Sequence, residues 1–230
     1  MDIKFKEVTN NKSNFIFVGE AGSGKSEVAI NFAKYLVALN EKPVHFFDMD
    51  MTKPLFRSRD VKADIEGLGI IFHHQEQFYD APITVGGVNL LLKDDSCYVV
   101  MDVGGNGIGA RAIGGFAPKV NQDNTAVYYV VNAYRPWSGN LNHIDETLSS
   151  ILKIAHIKLD KVHMISNPNN GISTTVEEVL EGNLKMHEML GALIDIDFIC
   201  VSDTLYHELR DKTDIPLMPI HLYLTYQWEQ

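Results

Sequence analysis

The sequence predicts an α/β fold: a doubly wound, mostly parallel sheet with helices on both faces, in three α/β/α layers. Three observations carry that prediction. Apolar runs of strand length alternate with amphipathic stretches of helix length, with no internal repeat. The first run, Phe15-Ile16-Phe17-Val18, passes through a glycine-rich turn directly into a helical pattern. Several runs close on polar residues (Asp48, Asp50, Asp102, Asn132, Asn167, Ser202, Asp203), and open α/β sheets bind ligands beyond the carboxyl ends of their strands.

Taken in order, residues 1 to 12 are polar and read as a lead-in or an edge strand. Glu27 to Leu39 reads as a helix, with Val28, Ala29, Phe32, Ala33, Leu36 and Val37 on its apolar face. Pro43 forbids its continuation. Val44-His45-Phe46-Phe47 is the second strand, closed by Asp48-Met49-Asp50. Residues 54 to 66 are charged and lack a clean period, so they read as a loop with room for one helical turn. Ile70-Ile71-Phe72 is the third strand. His73-His74 follows, but adjacent histidines point different ways and do not form a ready metal pair. Asp80-Ala81-Pro82 breaks the chain, and Thr84 to Lys93 allows a short helix weakened by Gly86-Gly87.

Tyr98-Val99-Val100-Met101 is a strand ending at Asp102. The stretch from Val103 to Gly115 holds Gly104, Gly105, Gly107, Gly109, Gly114 and Gly115, and reads as a loop that rearranges or packs its backbone on a ligand. Ala126 to Val131 is the next strand, and Asn142 to His156 the next helix. Lys161 to Ser166 is a strand ending at Asn167-Pro168-Asn169-Asn170-Gly171. Ser173 is the expected cap of the following helix, with Glu177 and Glu178 near its first turn. Asp197 to Val201 is the last strand. Ser202-Asp203 is expected to cap a helix through about Arg210, and the apolar, aromatic stretch from Leu217 to Gln230 reads as a docked helix.

The chain of 230 residues fits one domain, residues 1–230, and its 45% hydrophobic content argues against disorder. The net charge of −10 and the lack of any basic run argue against a nucleic-acid surface or an anionic-membrane anchor. The two cysteines, Cys97 and Cys200, lie in apolar runs and read as buried reduced thiols. No signal peptide and no run of membrane-spanning length is visible, so the expected compartment is the cytoplasm.

Gly19-Glu20-Ala21-Gly22-Ser23-Gly24-Lys25-Ser26 fits G-x-x-x-x-G-K-[ST] throughout, between a strand and a helix. In that context successive backbone N–H groups form an anion-binding nest, and the helix N-terminus adds its positive dipole end. The stretch from Gly19 through Ala21, Gly22, Ser23, Gly24, Lys25, Ser26 and Glu27 is thus the expected phosphate cradle. Lys25 brings a charge to the β- and γ-phosphates and the Ser26 hydroxyl binds Mg²⁺. Asp102, closing a strand before Gly104-Gly105, is placed to hold a metal-bound water, and either glycine offers an N–H to the γ-phosphate. Of Asp48 and Asp50, one orders the metal's waters and the other orients and deprotonates an attacking water.

Together these motifs resemble the SIMIBI class of P-loop NTPases, and within it the MinD/ParA-like ATPases, over about residues 13 to 205. The resemblance implies a seven- or eight-stranded parallel sheet, Mg-ATP hydrolysis and nucleotide-driven dimerisation that switches a protein partner. It implies catalytic roles for Lys25, Asp50 and Asp102, and metal-shell roles for Ser26, Asp48 and Asp102. It also places Asn167 at the adenine edge, with Ser202 and Asp203 beside the base. One position departs: the group's second Walker A lysine, which reaches a partner's nucleotide, is Glu20 here. Arg57, Arg59 and Arg111 are the candidate replacements. Guanine-specific relatives carry Asn-Lys-x-Asp where this chain has Asn167-Pro168-Asn169-Asn170, which favours adenine. The alternatives on this fold are a metallocofactor-maturation ATPase, a small-molecule kinase or ligase, and a nucleotide sensor that does not turn over.

Overall fold

A computed structural model describes residues 11–50, 58–74, 87–105 and 107–224. Eight strands form one sheet: β1 (Asn14–Val18), β2 (Val44–Asp48), β3 (Ile71–His73), β4 (Tyr98–Asp102), β5 (Thr125–Val131), β6 (Val162–Ser166), β7 (Ile196–Ser202) and β8 (Leu217–Ile220). Their order is β3-β2-β4-β1-β5-β6-β7-β8, and every pairing is parallel. The helices are α1 (Lys25–Leu39), α2 (Lys62–Gly67), α3 (Val88–Leu91), α4 (Gly107–Gly114), α5 (Ala117–Val120), α6 (Leu141–Ala155), α7 (Val176–Leu190) and α8 (Tyr206–Leu209).

The period of two along each strand sorts side chains onto the two faces of the sheet, each with its main core, and a smaller cluster of Val176, Val179, Ile199, Val201, Leu209 and Leu217 forms beside β7 and β8. Phe15 and Phe17 of β1, Val100 of β4 and Tyr128 of β5 join Val28, Phe32 and Leu36 of α1 on one face. Ile16, Met101, Val127 and Tyr129 join Ile113 of α4 and Ile144 and Ile151 of α6 on the other. Phe32 is fully buried against Phe15, Phe17 and Tyr128, with ring centroids 4.8, 5.2 and 5.5 Å away. Each such side chain contributes about 1.5–3 kcal/mol of burial, and this cluster fixes α1 beneath the turn that starts it.

Several expectations need correction. Residues 58–66 are not a loop: a 3-10 turn (Ser58–Val61) leads into α2, because Ile65 finds a buried position. The glycine-rich stretch is helical from Gly107, as Ala110 and Ile113 supply an apolar face for α6 to cover. Thr175, not Ser173, caps α7, in a reciprocal capping box with Glu178. Ser202 and Asp203 cap nothing: α8 begins later, with Leu205 at its N-cap. The segment from Leu217 starts as strand β8, because the open edge of β7 offers it a hydrogen-bonding partner that a docked helix would leave unsatisfied. After β8 the chain lies on α1. Asn31 exchanges hydrogen bonds with both backbone groups of His221, and the Leu224 N–H donates to the Glu27 carboxylate. The expectations for residues 1–10, 54–57, 80–86 and 225–230 lie outside the described residues.

Candidate functional site

The phosphate-loop turn sits where the chain leaves β1, at the middle of the sheet. Its shape depends on glycine. Gly22 (φ 78°) and Gly24 (φ 87°) take left-handed backbone. Gly24 is the N-cap of α1, so the helix begins at Lys25 and turns its N-terminus toward the loop, with no side chain capping it. Lys25 and Ser26 are 4% and 2% exposed. The Ser23 hydroxyl is buried without a hydrogen-bond partner among the described residues.

The loop after β4 packs straight onto this turn. A Cβ on Gly105 would collide with the Gly19 carbonyl and stand 3.1 Å from the Ala21 nitrogen. A Cβ on Gly104 would stand 2.8 Å from Asp50 Oδ1. The glycines expected to mark a rearranging or ligand-packed loop are thus needed for backbone contact with the turn and with Asp50.

The acidic strand ends converge. Parallel pairing puts Asp102 level with Phe17 of β1 and with Asp48 of β2. Ser58 donates to Asp102 Oδ2 at 2.7 Å, while Asp102 Oδ1 is buried with no partner among the described residues. A buried carboxylate oxygen without a donor is costly, and a metal-bound water would satisfy it. Donor set and orphaned oxygen therefore fit Mg²⁺ beside Ser26 and Asp102. Asp48 is differently employed. Its Oδ1 accepts from the Asp50 N–H at 3.0 Å, and its Oδ2 from Arg59 Nε at 2.7 Å. Burial pushes its carboxyl up, and the Arg59 hydrogen bond draws it back down. Lys25 Nζ stands 3.6 Å from Asp50 Oδ2, so the lysine and the expected water-orienting carboxylate form a buried pair.

Asn167, closing β6, is brought to the turn: its Nδ2 donates to the Ser23 carbonyl at 2.7 Å. Ser202 and Asp203 end β7, three strands from β1. Ser202 bonds Thr204 and Asp203 bonds His221, and neither has a hydrogen bond or ion pair to the turn among the described residues. Asn170 donates its amide to Glu178, and Asn169 accepts from the Gly171 N–H.

One site residue was missed in the sequence. Arg135, in the loop after β5, donates from Nε to the Gly22 carbonyl at 3.1 Å. Asn132 closing β5 was the only signal pointing there. Glu20 is held by α6, accepting from the Thr147 hydroxyl at 2.6 Å. Beside it opens a groove of about 240 Å³, lined by Glu20, Gly105, Ala110, Glu146, Thr147 and Ser150 among others. Of the candidate replacement arginines, Arg59 is committed to Asp48 and the Asp50 carbonyl, Arg111 lies exposed on α4, and Arg57 is outside the described residues.

No protein-family model matches the sequence, and no curated protein matches it. Solved structures do. Cell division protein FtsY from Thermotoga maritima aligns at a TM-score of 0.56 with 17% identity, over 86% of this chain and 69% of its own. Signal recognition particle 54 kDa protein from Aeropyrum pernix, solved with GDP, gives 0.53 and 21%, over 85% and 46%. Signal recognition particle receptor FtsY from Elizabethkingia anophelis, also with GDP, gives 0.52 and 13%, over 86% and 65%. The chain has their fold. It is the three-layer α/β/α fold of P-loop proteins, and this chain spans about half to two thirds of the length of those structures. Among the described residues, no helix is long and apolar enough to cross a membrane.

Proposed function

We propose that the chain is a SIMIBI-class P-loop nucleoside triphosphatase of the MinD/ParA-like kind. It binds Mg-ATP, hydrolyses it slowly, and uses the cycle to change conformation or oligomeric state for a protein partner. The observation that carries this is the orphaned, buried Asp102 Oδ1 at a strand end level with the phosphate-loop strand. It asks for the one group such a cradle is built to hold. Lys25 and the turn N–H groups grip the β- and γ-phosphates. Ser26 and Asp102 hold Mg²⁺, with Asp48 behind them, and the metal neutralises charge on the bridging phosphate oxygens. Asp50 orients water for attack once phosphate competes for Lys25. Glu20, fixed by Thr147, replaces the lysine that would bridge two copies, so any nucleotide-dependent homodimer uses another contact. Both cysteines are buried, which disfavours a thiolate-held metal cargo.

Adenine is the favoured base, since Asn170, standing where guanine-specific relatives have Asp, turns its amide into the α7 cap. A guanine reading is the second, supported by the GDP in two solved neighbours. The test is a binding panel of ATP, ADP, GTP and GDP with Mg²⁺, followed by phosphate release. Micromolar ATP affinity, turnover without a second substrate, and loss of both in Lys25→Ala are expected. Tighter GTP than ATP reverses the base. No binding of any nucleotide removes the proposal.

A further inference from the structure

We propose that Arg135 is a phosphate-binding residue, supplying the nucleotide's phosphate chain with a second positive charge beyond that of Lys25. This rests on the nucleotide-binding reading above and assigns a further residue to that site.

The charge around the turn is unbalanced. Glu20, Asp48, Asp50 and Asp102 gather there, yet Lys25 is paired with Asp50 and Arg59 with Asp48. A triphosphate brings more negative charge than Mg²⁺ and Lys25 together offset, so a further cation beside it is favourable. Arg135 is the described cation in place. Its Nε donates to the Gly22 carbonyl, and Nε and Cδ lie 3.7 and 3.8 Å from where a Gly22 Cβ would stand. The guanidinium therefore lies against the middle of the cradle. Its two terminal nitrogens have no hydrogen-bond or ion-pair partner among the described residues, whereas Arg59 uses Nε and Nη2 together. A planar fork with one edge anchored and the other open suits an oxyanion.

The backbone that carries it is held. The Arg135 N–H donates to the Asn132 carbonyl, and the Ser138 N–H to the Arg135 carbonyl. Pro136 fixes the next residue at the start of a 3-10 turn. Asn132 donates to the Asn169 carbonyl, and Tyr134 OH to the Glu178 carbonyl. These bonds hold the loop in place before nucleotide arrives, which is what a charge-stabilising group needs.

Two variants separate charge from anchoring. Arg135→Gln keeps a donor for Gly22 without the charge, and Arg135→Lys keeps the charge. Calorimetric titration of the full chain with Mg²⁺ and a non-hydrolysable ATP analogue is repeated at rising salt, with thermal unfolding of each variant as the control for folding. Arg135→Gln is expected to bind at least about tenfold more weakly, with a shallower salt dependence and an unchanged unfolding midpoint; Arg135→Lys stays within about threefold. Wild-type affinity in Arg135→Gln, with binding lost in Lys25→Ala, overturns the role of Arg135 and leaves the nucleotide site standing. Equal losses in Gln and Lys, or a loss that merely tracks a lowered midpoint, overturn it as well. No binding by the wild-type chain overturns both.

Discussion

At the scale of single residues, the site is a set of close approaches that tolerate little. Gly105 is the sharpest case. An added methyl would overlap the Gly19 carbonyl, and both partners are backbone, so neither yields cheaply. Gly105→Ala should lose about 1–3 kcal/mol of stability, read by denaturant titration, and most nucleotide affinity with it. Gly19 is bounded in the same way on its other side, where a Cβ would stand 2.6 Å from the Val130 carbonyl of β5. The turn is therefore clasped between the loop after β4 and strand β5. This much was partly legible: the Walker pattern and Asp-x-Gly-Gly spacing are local, and each names its chemistry. Arg135 was not legible, because no spacing rule links a residue after β5 to a loop after β1. Only the pairing of those two strands brings them together.

At the scale of elements, strands were easier to read than their connections. Buried parallel strands announce themselves as apolar runs, and all the runs singled out became strands. The corrections fall where tertiary context decides. α4 is rich in glycine and poor in intrinsic helix preference, yet its Ala110 and Ile113 are held against α6. β8 contains a proline and reads ambiguously until the edge of β7 is there to receive it. At the opposite edge, His45 of β2 faces His73 of β3, Nδ1 to Nε2 at 2.9 Å, and His73 stacks on Phe47. One ring must donate and the other accept, so the pair cannot survive double protonation. Burial pulls both rings below the usual 6.5. Their folded values lie under their unfolded ones, so their contribution is complete above about pH 6.5 and drains away as pH falls. Unfolding midpoints should drop between pH 7.5 and 5.5, and His45→Gln should flatten that drop. Matching pH profiles for variant and wild type would dismiss the pair as the cause.

At the scale of the whole molecule, the strand order turns a linear alternation into one site. β1 lies between β4 and β5, the two strands whose loops enclose the turn, and β2 stands beyond β4, so Asp48 and Asp102 come level. Sequence alone predicted a parallel sheet but not its order, since any non-crossing arrangement satisfies the same apolar runs. α1 belongs to one core while α4 and α6 belong to the other, and the phosphate loop leaves β1, which gives Phe15 and Phe17 to the first and Ile16 and Val18 to the second. The last described residues join the first of these cores, through Leu222, Tyr223 and Leu224. Asn31→Ala removes two hydrogen bonds to His221 and should lower stability by about 1–3 kcal/mol. Backbone amides from His221 to Leu224 should then exchange faster than in wild type; protection equal to wild type would refute that tether.

That tether has a mechanical side. The Leu224 N–H is moored to Glu27, the third residue of the helix that springs from the phosphate turn. Tension applied along the chain beyond Leu224 would reach the cradle within two residues of Lys25, before it reached any strand of the sheet.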